Sequence, residues 1–282
     1  MADVVYNSAK RDSFNGAIDY NTDTFKAMLV SGYTPNKDSH SKRSDITGEI
    51  SGTGYISGGK ALTGVTFTQD NTDNEGVVDC DDIVWTGATF SADGCVIYKS
   101  RGGASSADEL VKYIDFGGTA TASGGDFKIT IAAEGLINFN SSDFVYNSAK
   151  KELFDGTINL VTDDIGLMLV NGYVPNIDSH SKRSDITNEV SGPGYTAGGV
   201  SLTGKSVTQD NTDDEGVFDA DDVTLANSSI SADGAVLYKK RGGLASADEL
   251  INYIPFGSVI TSTNSNFNIV WGAEGILNLN DL

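Results

Sequence analysis

The chain has 282 residues, of which 39% are hydrophobic and 21% are charged, values typical of folded proteins rather than disordered ones. Its 39 Asp and Glu outnumber its 19 Lys and Arg, which gives a formal net charge of −20. A surface of this sign repels phosphate backbones and anionic lipids, so nucleic acid and membranes are excluded as expected partners. With neither a signal peptide nor a long apolar run, the sequence predicts a soluble protein made in a cytoplasm.

The chain consists of two tandem copies of one sequence unit. Tyr6–Lys10 returns as Tyr146–Lys150 and Asp38–Thr47 returns as Asp178–Thr187, at offsets of 146 − 6 = 178 − 38 = 140 positions. A unit of this length exceeds the roughly 20–50 residues of solenoid repeats and is large enough for its own core. The repeat predicts two tandem domains, residues 1–142 and 143–282. Because no linker rich in Pro, Gly or Ser separates them, we expect them to be held side by side.

The first part of each copy mixes a short helix, a strand and a polar loop. In the first copy, Asn7–Phe14 predicts one or two helical turns with Asn7 or Ser8 as the cap. The apolar run Phe25–Val30 predicts a buried strand. The stretch Asp38–Ser44 is polar throughout and predicts a loop.

The rest of the copy predicts strands at short intervals. They are an irregular edge strand at Ile50–Gly59, strands at Val65–Gln69 and Val77–Asp81 joined by the acidic turn Asp70–Gly76, strands at Ile83–Trp85 and Cys95–Tyr98 separated by a turn at Ser91–Gly94, a capping box at Ser106–Glu109, and strands at Val111–Phe116, Phe127–Ile131 and Leu136–Phe139. About eight strands at this spacing are typical of a sandwich or barrel. The predicted fold class is all-β, with each copy a β-sandwich or jelly-roll-like domain that has at most short helices.

Cys80 and Cys95 are the only cysteines, and Ala220 and Ala235 replace them in the second copy. The fold therefore does not require sulfur at either position, and each Cys is predicted to be a small buried hydrophobe. A disulfide between two paired strands is the alternative, which a reducing cytoplasm disfavours.

The acidic segment Asp70–Asp82, repeated as Asp210–Asp222, is the strongest local candidate for a metal site. Calcium takes six to eight oxygen ligands, and closely spaced carboxylates in a turn can supply them. However, the Gly and the closing Glu are at the wrong offsets for an EF-hand. A solvated turn of an acidic protein would look the same, so our prediction includes no metal.

Two identical polar loops, Asp38–Asp45 and Asp178–Asp185, each carry one histidine. Asp, His and Ser so close together in one loop cannot converge as a catalytic triad, which needs a base and an oxyanion site positioned by the fold. The alternatives are bonding to the loop's own backbone or contact with a neighbouring subunit. The candidate interface residues are His40, Lys42, Arg43, His180, Lys182 and Arg183.

The remaining candidates for chemistry favour structural roles. Glu134 and Glu274 precede the last strand of each copy without a second carboxylate suited to a glycosidase, which predicts a turn or cap role. Trp85 is replaced by Leu225, and Trp271 replaces Ile131, which predicts core residues rather than a sugar-stacking platform. No phosphate loop, dinucleotide fingerprint or zinc spacing occurs. The sequence therefore predicts no enzyme activity and no cofactor.

Four segments of the second copy and three of the first together resemble a known family. They are Tyr173–His180, Ser184–Gly199, Val207–Asp210 and Phe218–Val223, with Tyr33–His40, Ser44–Thr47 and Ser51–Tyr55 in the first copy. These segments are similar to a small β-rich module found in structural proteins of tailed bacteriophages. The resemblance spans nearly all of each copy and is most specific in the patterns Gly-Tyr-x-x-Gly-Gly and Asp-x-Asp-Asp-Val. It implies a non-enzymatic virion component and provides no catalytic residues to transfer. The module usually occurs singly, so the duplication is a departure from the family.

The resemblance and the charge together predict a decoration protein on the outside of a phage head, bound to the major capsid protein or another virion protein. A negative surface suits the outside of the head better than a face toward packaged DNA. A protein of the neck, tail or fibre and a carbohydrate-binding module on the particle surface are the alternatives. Sequence leaves open whether the protein forms a homo-oligomer.

Overall fold

The structure is a computed structural model, and it describes residues 2–141 and 144–280. The predicted domain boundary between residues 142 and 143 lies outside the described residues. The first copy comprises β1 (Val4–Val5), α1 (Asn7–Phe14), β2 (Phe25–Val30), β3 (Lys60–Ala61), β4 (Thr66–Asp70), β5 (Glu75–Asp79), β6 (Ile83–Lys99), β7 (Leu110–Ile129) and β8 (Ile137–Phe139). The second comprises β9 (Phe144–Val145), α2 (Asn147–Phe154), β10 (Ile165–Val170), β11 (Val200–Ser201), β12 (Ser206–Asp210), β13 (Glu215–Asp219), β14 (Val223–Ser228), β15 (Ser231–Lys239), β16 (Leu250–Thr261), β17 (Ser265–Ile269) and β18 (Leu277–Leu279).

Each copy contains one larger and one smaller antiparallel sheet. In the first copy, five strands are ordered β1-β7-β6-β2-β3 and three are ordered β4-β5-β8. The second copy repeats both, as β11-β10-β15-β16-β9 and β12-β13-β18, with β14 and β17 as a separate pair. The all-β class is confirmed. The jelly-roll arrangement stays a prediction.

The predicted turn at Ser91–Gly94 is wrong, because these residues lie inside the 17-residue strand β6. Phe90 and Ala92 are buried while Ser91 is exposed, as strand alternation requires. The ladder with β7 shifts register between Ala92 and Gly94, which marks a bulge. A Cβ at Gly94 would lie 2.5 Å from the Tyr113 ring, so glycine allows that close packing. The glycine and the small polar residues of this segment therefore form a bulge within a continuous strand, not a turn.

The predicted edge strand Ile50–Gly59 is also wrong. This segment consists of turns held by isolated bridges, such as the one between Thr53 and Thr89. Tyr55 is half-buried and anchors the segment, because its hydroxyl donates to Glu49 Oε1 at 3.0 Å.

Helix α1 lies where the sequence predicts it, but its cap differs. Tyr6 is the N-cap residue, and no side chain caps the first turn. All residues of α1 except Arg11 are buried, although the helix is polar. The helix packs on β7 of its own copy and on β12 and β13 of the other copy, and α2 packs in the same way on β16 and on β4 and β5. Each helix is therefore buried by the small sheet of the opposite copy.

The two copies are related by a pseudo-two-fold axis. Asn140 forms an antiparallel bridge with Asn280, its own counterpart 280 − 140 = 140 positions later, as pairing across such an axis requires. Phe14 O accepts a hydrogen bond from Leu160 N at 3.1 Å, and Phe154 O accepts the equivalent bond from Tyr20 N at 2.9 Å. The contact is thus reciprocal, like that of a symmetric dimer.

The apolar core continues across this contact. Phe139 packs edge-on against Phe14 of its own copy at 6.0 Å and against Phe154 of the other copy at 6.1 Å between ring centroids. All three side chains are at most 2% exposed and belong to one buried cluster that includes both copies. The two copies keep separate sheets but share one core.

Both cysteines are free and buried, which confirms their role as small hydrophobes. In the described part of the chain, no helix has the length and apolar character needed to cross a membrane.

Candidate functional site

The basic residues of the two identical loops are paired inside their own copy. Arg43 Nε donates to Asp108 Oδ2 at 2.7 Å, and its guanidinium lies over the Tyr98 ring at 5.3 Å. Lys42 Nζ lies 2.9 Å from Glu109 Oε1. Arg183 and Lys182 repeat these contacts with Asp248, Tyr238 and Glu249. The structure thus places the predicted interface cations against internal carboxylates.

The acceptors of these bonds are more deeply buried than the donors. The side chain of Asp108 is 2% exposed and that of Arg43 is 22% exposed. The Arg101 N–H donates to the second oxygen of Asp108 at 2.8 Å. Arg101 and Lys42 both donate to Glu109, and these hydrogen bonds hold the pKa of this carboxyl below its usual range, although burial opposes the shift. The loop therefore neutralises carboxylates that the fold has buried.

Each loop histidine ends a chain of hydroxyl groups. His40 Nδ1 accepts from the Asn36 N–H at 3.3 Å and lies 2.8 Å from the Tyr33 hydroxyl, whose oxygen is 2.9 Å from that of Tyr6. Because Nδ1 is an acceptor, Tyr33 donates to it. Burial raises the pKa of Tyr6 far above its usual range. His180, Tyr173 and Tyr146 form the same chain in the second copy.

The tip of each loop faces the other copy. The Asp38 carbonyl accepts from Gln209 Nε2 at 2.9 Å, and the Asp178 carbonyl accepts from Gln69 Nε2 at 3.0 Å. Lys37 Nζ lies 2.5 Å from Asp214 Oδ2 in the acidic turn of the second copy. The identical loops and the acidic turns, about 30 residues apart within each copy, therefore meet across the pseudo-two-fold axis.

Asn7 and Asn147, at the start of the two helices, connect the loop and the turn. Asn7 Nδ2 is within hydrogen-bond distance of Asp38 Oδ1 at 3.1 Å and Asp214 Oδ1 at 3.2 Å. Asn147 Nδ2 reaches Asp178 Oδ1 at 3.0 Å and Asn74 Oδ1 at 3.2 Å. The residue predicted as a local helix cap thus serves a long-range contact, which single-sequence patterns do not reveal.

Lys150 is buried in the same contact. It is 1% exposed, and its Nζ donates to the Asn74 carbonyl of the opposite turn. Burial lowers the pKa of Lys150 to about 8, and the nearby Glu75 and Asp178 only partly oppose this. A Cβ at Gly76 would lie 2.7 Å from the Lys150 backbone, so glycine lets the helix approach this closely. Gly216 holds the corresponding place against Lys10.

The acidic turns use their first carboxylate to bond their own backbone. Asp70 Oδ1 accepts from the Thr72 N–H at 2.6 Å, and Asp210 Oδ1 accepts equally from Thr212. These bonds lower the pKa of both carboxyls. Asp210, Asp213 and Glu274 bring ligand atoms within 4.8 Å of one another, but the last two are exposed. Three carboxylate oxygens are half of the shell that calcium takes.

The two tryptophans differ in burial. Trp85 is 4% exposed and packs edge-on against Phe127, as predicted for a core residue. Trp271 is only partly buried, and it packs against the edge of the core cluster. Its indole N–H donates to the Asp221 carbonyl at 3.0 Å, which fixes the ring beside a cleft of the second copy.

Comparison of the chain with protein-family profiles, with curated proteins and with solved structures finds no match.

Proposed function

We propose that the chain is a non-enzymatic structural protein of a phage particle, with the outside of the head as its place of attachment. The observation that carries this proposal is the pairing of the two copies. Each copy buries the other's helix, so the molecule presents two copies of the module in a fixed two-fold relation.

A fixed pair suits a lattice of repeated capsid subunits. When one copy has bound, the second is already oriented toward a neighbouring site, which raises its effective concentration without new types of contact. The rigid core between the copies removes the linker entropy that a flexible tandem protein would lose on binding. The net charge of −20 favours a surface away from packaged DNA.

The contact with a capsid belongs to the outer faces in this proposal. Lys42, Arg43, Lys182 and Arg183 bond carboxylates of their own copy, so they offer little unpaired positive charge to a partner. The contacts that these loops make inside and between the copies are enough to explain why their sequences are identical.

Cryo-electron microscopy of the phage that encodes the chain, with and without the intact protein added, tests the proposal. Two-lobed density on the outer head lattice is the expected result. Density confined to the neck, tail or fibres would move the protein to that part of the virion. Absence of binding to any part of the particle would contradict the proposal, provided that the added protein is folded by circular dichroism.

A further inference from the structure

The second copy has a cleft beside strand β16. It measures about 500 Å³ and lies between β16 and the segment that leads into β18. Aromatic rings of Phe144, Tyr253, Phe256 and Trp271 form much of its wall. A volume of this size is ordinary for a small-molecule site.

The first copy shows how the equivalent place is filled there. Lys112 occupies the position of Asn252, and its Nζ donates to the Leu136 carbonyl at 2.9 Å. The Lys112 side chain is 18% exposed, so most of its stem is covered. Its ammonium therefore connects β7 to the segment before β8.

The second copy lacks this ammonium. Asn252 is too short to repeat the lysine contact with the carbonyl of Ile276, the counterpart of Leu136. Asn252 is 1% exposed, and no donor among the described residues reaches its Oδ1. The Oδ1 of Asn278, which also lines the cleft, is likewise buried without a donor. A buried acceptor without a partner destabilises the folded state, and a ligand with N–H donors would remove this penalty.

The aromatic surface increases at the same place. Trp271 stands where the first copy has Ile131, and Phe144 stands where it has Val4. Both added rings are partly exposed, Phe144 by 48%. Aromatic faces attract cations, and the Glu274 carboxylate at the rim adds negative charge. Relative to the first copy, the second copy therefore has no lysine at this position but has more aromatic surface that can attract a cation.

We propose that this cleft binds an alkylammonium group, carried by a small amine or by a lysine side chain of another protein, in the place that the Lys112 ammonium takes in the first copy. The ammonium would donate to the Asn252 Oδ1 and the Ile276 carbonyl. The methylenes would lie along the Trp271 ring. The cleft would bind the ammonium wherever the protein attaches.

A titration followed by ¹⁵N–¹H NMR tests the proposal, with the Trp271 indole resonance as the reporter. We expect butylamine at millimolar concentration to shift this resonance saturably, and 1-butanol to bind at least tenfold more weakly because it lacks the charge. Nα-acetyl-lysine methylamide is compared with its Nε-acetylated form. If butylamine binds and Nα-acetyl-lysine methylamide does not, the site is for free amines. If both of these amines bind and the Nε-acetylated form does not, the site also accepts lysine side chains. Failure of both amines to saturate would overturn the proposal.

Two matched variants locate the binding. Asn252→Lys restores the residue of the first copy, so we expect a folded protein with at least tenfold weaker amine binding. Lys112→Asn removes the internal ammonium of the first copy, so we expect a second set of saturable shifts near Ile131. Wild-type affinity in Asn252→Lys would place the amine elsewhere and overturn the proposal. If Asn252→Lys does not fold, Trp271→Ile, which restores the other residue of the first copy, is titrated instead and followed through the backbone amide resonances of the cleft residues, because this variant lacks the Trp271 indole.

Discussion

Lys37 of the first copy is paired with Asp214 of the second at 2.5 Å, whereas the equivalent positions across the pseudo-two-fold axis hold Ile177 and Asn74. Both members of the pair differ from their counterparts, in motifs that are otherwise nearly identical between the copies. The charge on Lys37 is matched by the charge on Asp214, and the uncharged Ile177 is matched by an uncharged amide. This correlated difference is what a direct contact between the copies would select.

Replacement of Lys37 by Ile should destabilise the protein by no more than about 1 kcal/mol, since both side chains are partly exposed and the pair is screened by water. The double change Lys37→Ile and Asp214→Asn should restore stability, because it reproduces the uncharged pair. Urea unfolding of the four combinations as a double-mutant cycle measures the coupling. Additive effects would show that the two residues do not interact.

The same pair predicts a pH dependence. The hydrogen bond from Lys37 is the main cause that lowers the pKa of Asp214. A lowered pKa contributes stability above the unfolded value of about 3.9, and this contribution is lost as the pH falls through the folded value. The difference in stability between wild type and Lys37→Ile should therefore shrink below about pH 4. A difference that stays constant in acid would contradict the assignment.

Replacement of the buried Glu152 carboxyl by a neutral amide should stabilise the protein. Burial raises its pKa to about 7, and Lys182 at 3.7 Å only partly offsets this. Between about pH 4.3, the unfolded value, and pH 7 the folded state holds more protons, so stability falls as the pH rises. Glu152→Gln should stabilise the protein by up to about 3 kcal/mol at pH 8 and change it little at pH 4. Urea unfolding at both pH values measures this, and parallel pH profiles would exclude it.

Arg43→Ala should destabilise the fold by about 3 kcal/mol, because it leaves the buried Asp108 carboxylate without its cation. Arg183→Ala is the matched variant in the second copy and should cost about the same. Ser44→Ala, at an exposed neighbour, should remain within about 0.5 kcal/mol of wild type. Thermal and urea unfolding give these values. Unchanged stability of Arg43→Ala would restore this residue as a candidate for contact with a partner.

Sequence patterns predict an element correctly when the contacts that determine it are local in the chain. Phe25–Val30 was predicted to the residue because a buried apolar run defines a strand locally. The Ser91–Gly94 segment was mispredicted because small polar residues suit both a turn and a bulged strand. Asn7 looks like a cap, but its side chain bonds Asp38 of its own copy and Asp214 of the other copy, and neither contact is local in sequence.

For the candidate site, the residue types were identified and their partners were not. The polar loops and the acidic turns are both candidate sites in the sequence. The contact between them depends on how the two copies pair, and hydrophobic periodicity does not encode that pairing. The correlated change of Lys37 and Asp214 was the one available signal. The unpaired Asn252 required the structure, because its meaning comes from the carbonyl that Lys112 reaches in the first copy.

The cysteines should be removable without loss of the fold. Cys80→Ala with Cys95→Ala should cost no more than about 2 kcal/mol, because both are small buried side chains and no disulfide is lost. Burial raises the pKa of the Cys80 thiol to about 11, so a thiol reagent at pH 7 should label it slowly in the native state and rapidly in urea. Rapid native labelling would show that the site opens readily.

The pairing of the copies makes a prediction about the separated halves. Residues 1–142 and 143–282 are each long enough for a core of their own, but each half alone would leave one face of its helix and its small sheet uncovered. We therefore expect each half to form a homodimer with the geometry of the intact chain, because the contact is reciprocal. Sedimentation equilibrium and circular dichroism of each half measure this. A folded monomer at micromolar concentration would show that the shared core is not required.

A mixture of the two halves should prefer the heterodimer. Only the mixed pair brings Lys37 opposite Asp214; a homodimer of the first half places Lys37 opposite Asn74, and one of the second half places Asp214 opposite Ile177. The preference over the statistical distribution is expected to be no more than about fivefold, since a partly exposed ion pair contributes about 0.2–1 kcal/mol. Native mass spectrometry of the mixture gives the three populations. With Lys37→Ile and Asp214→Asn in the respective halves, the populations should approach the statistical 1:2:1 ratio if this pair is what distinguishes the copies.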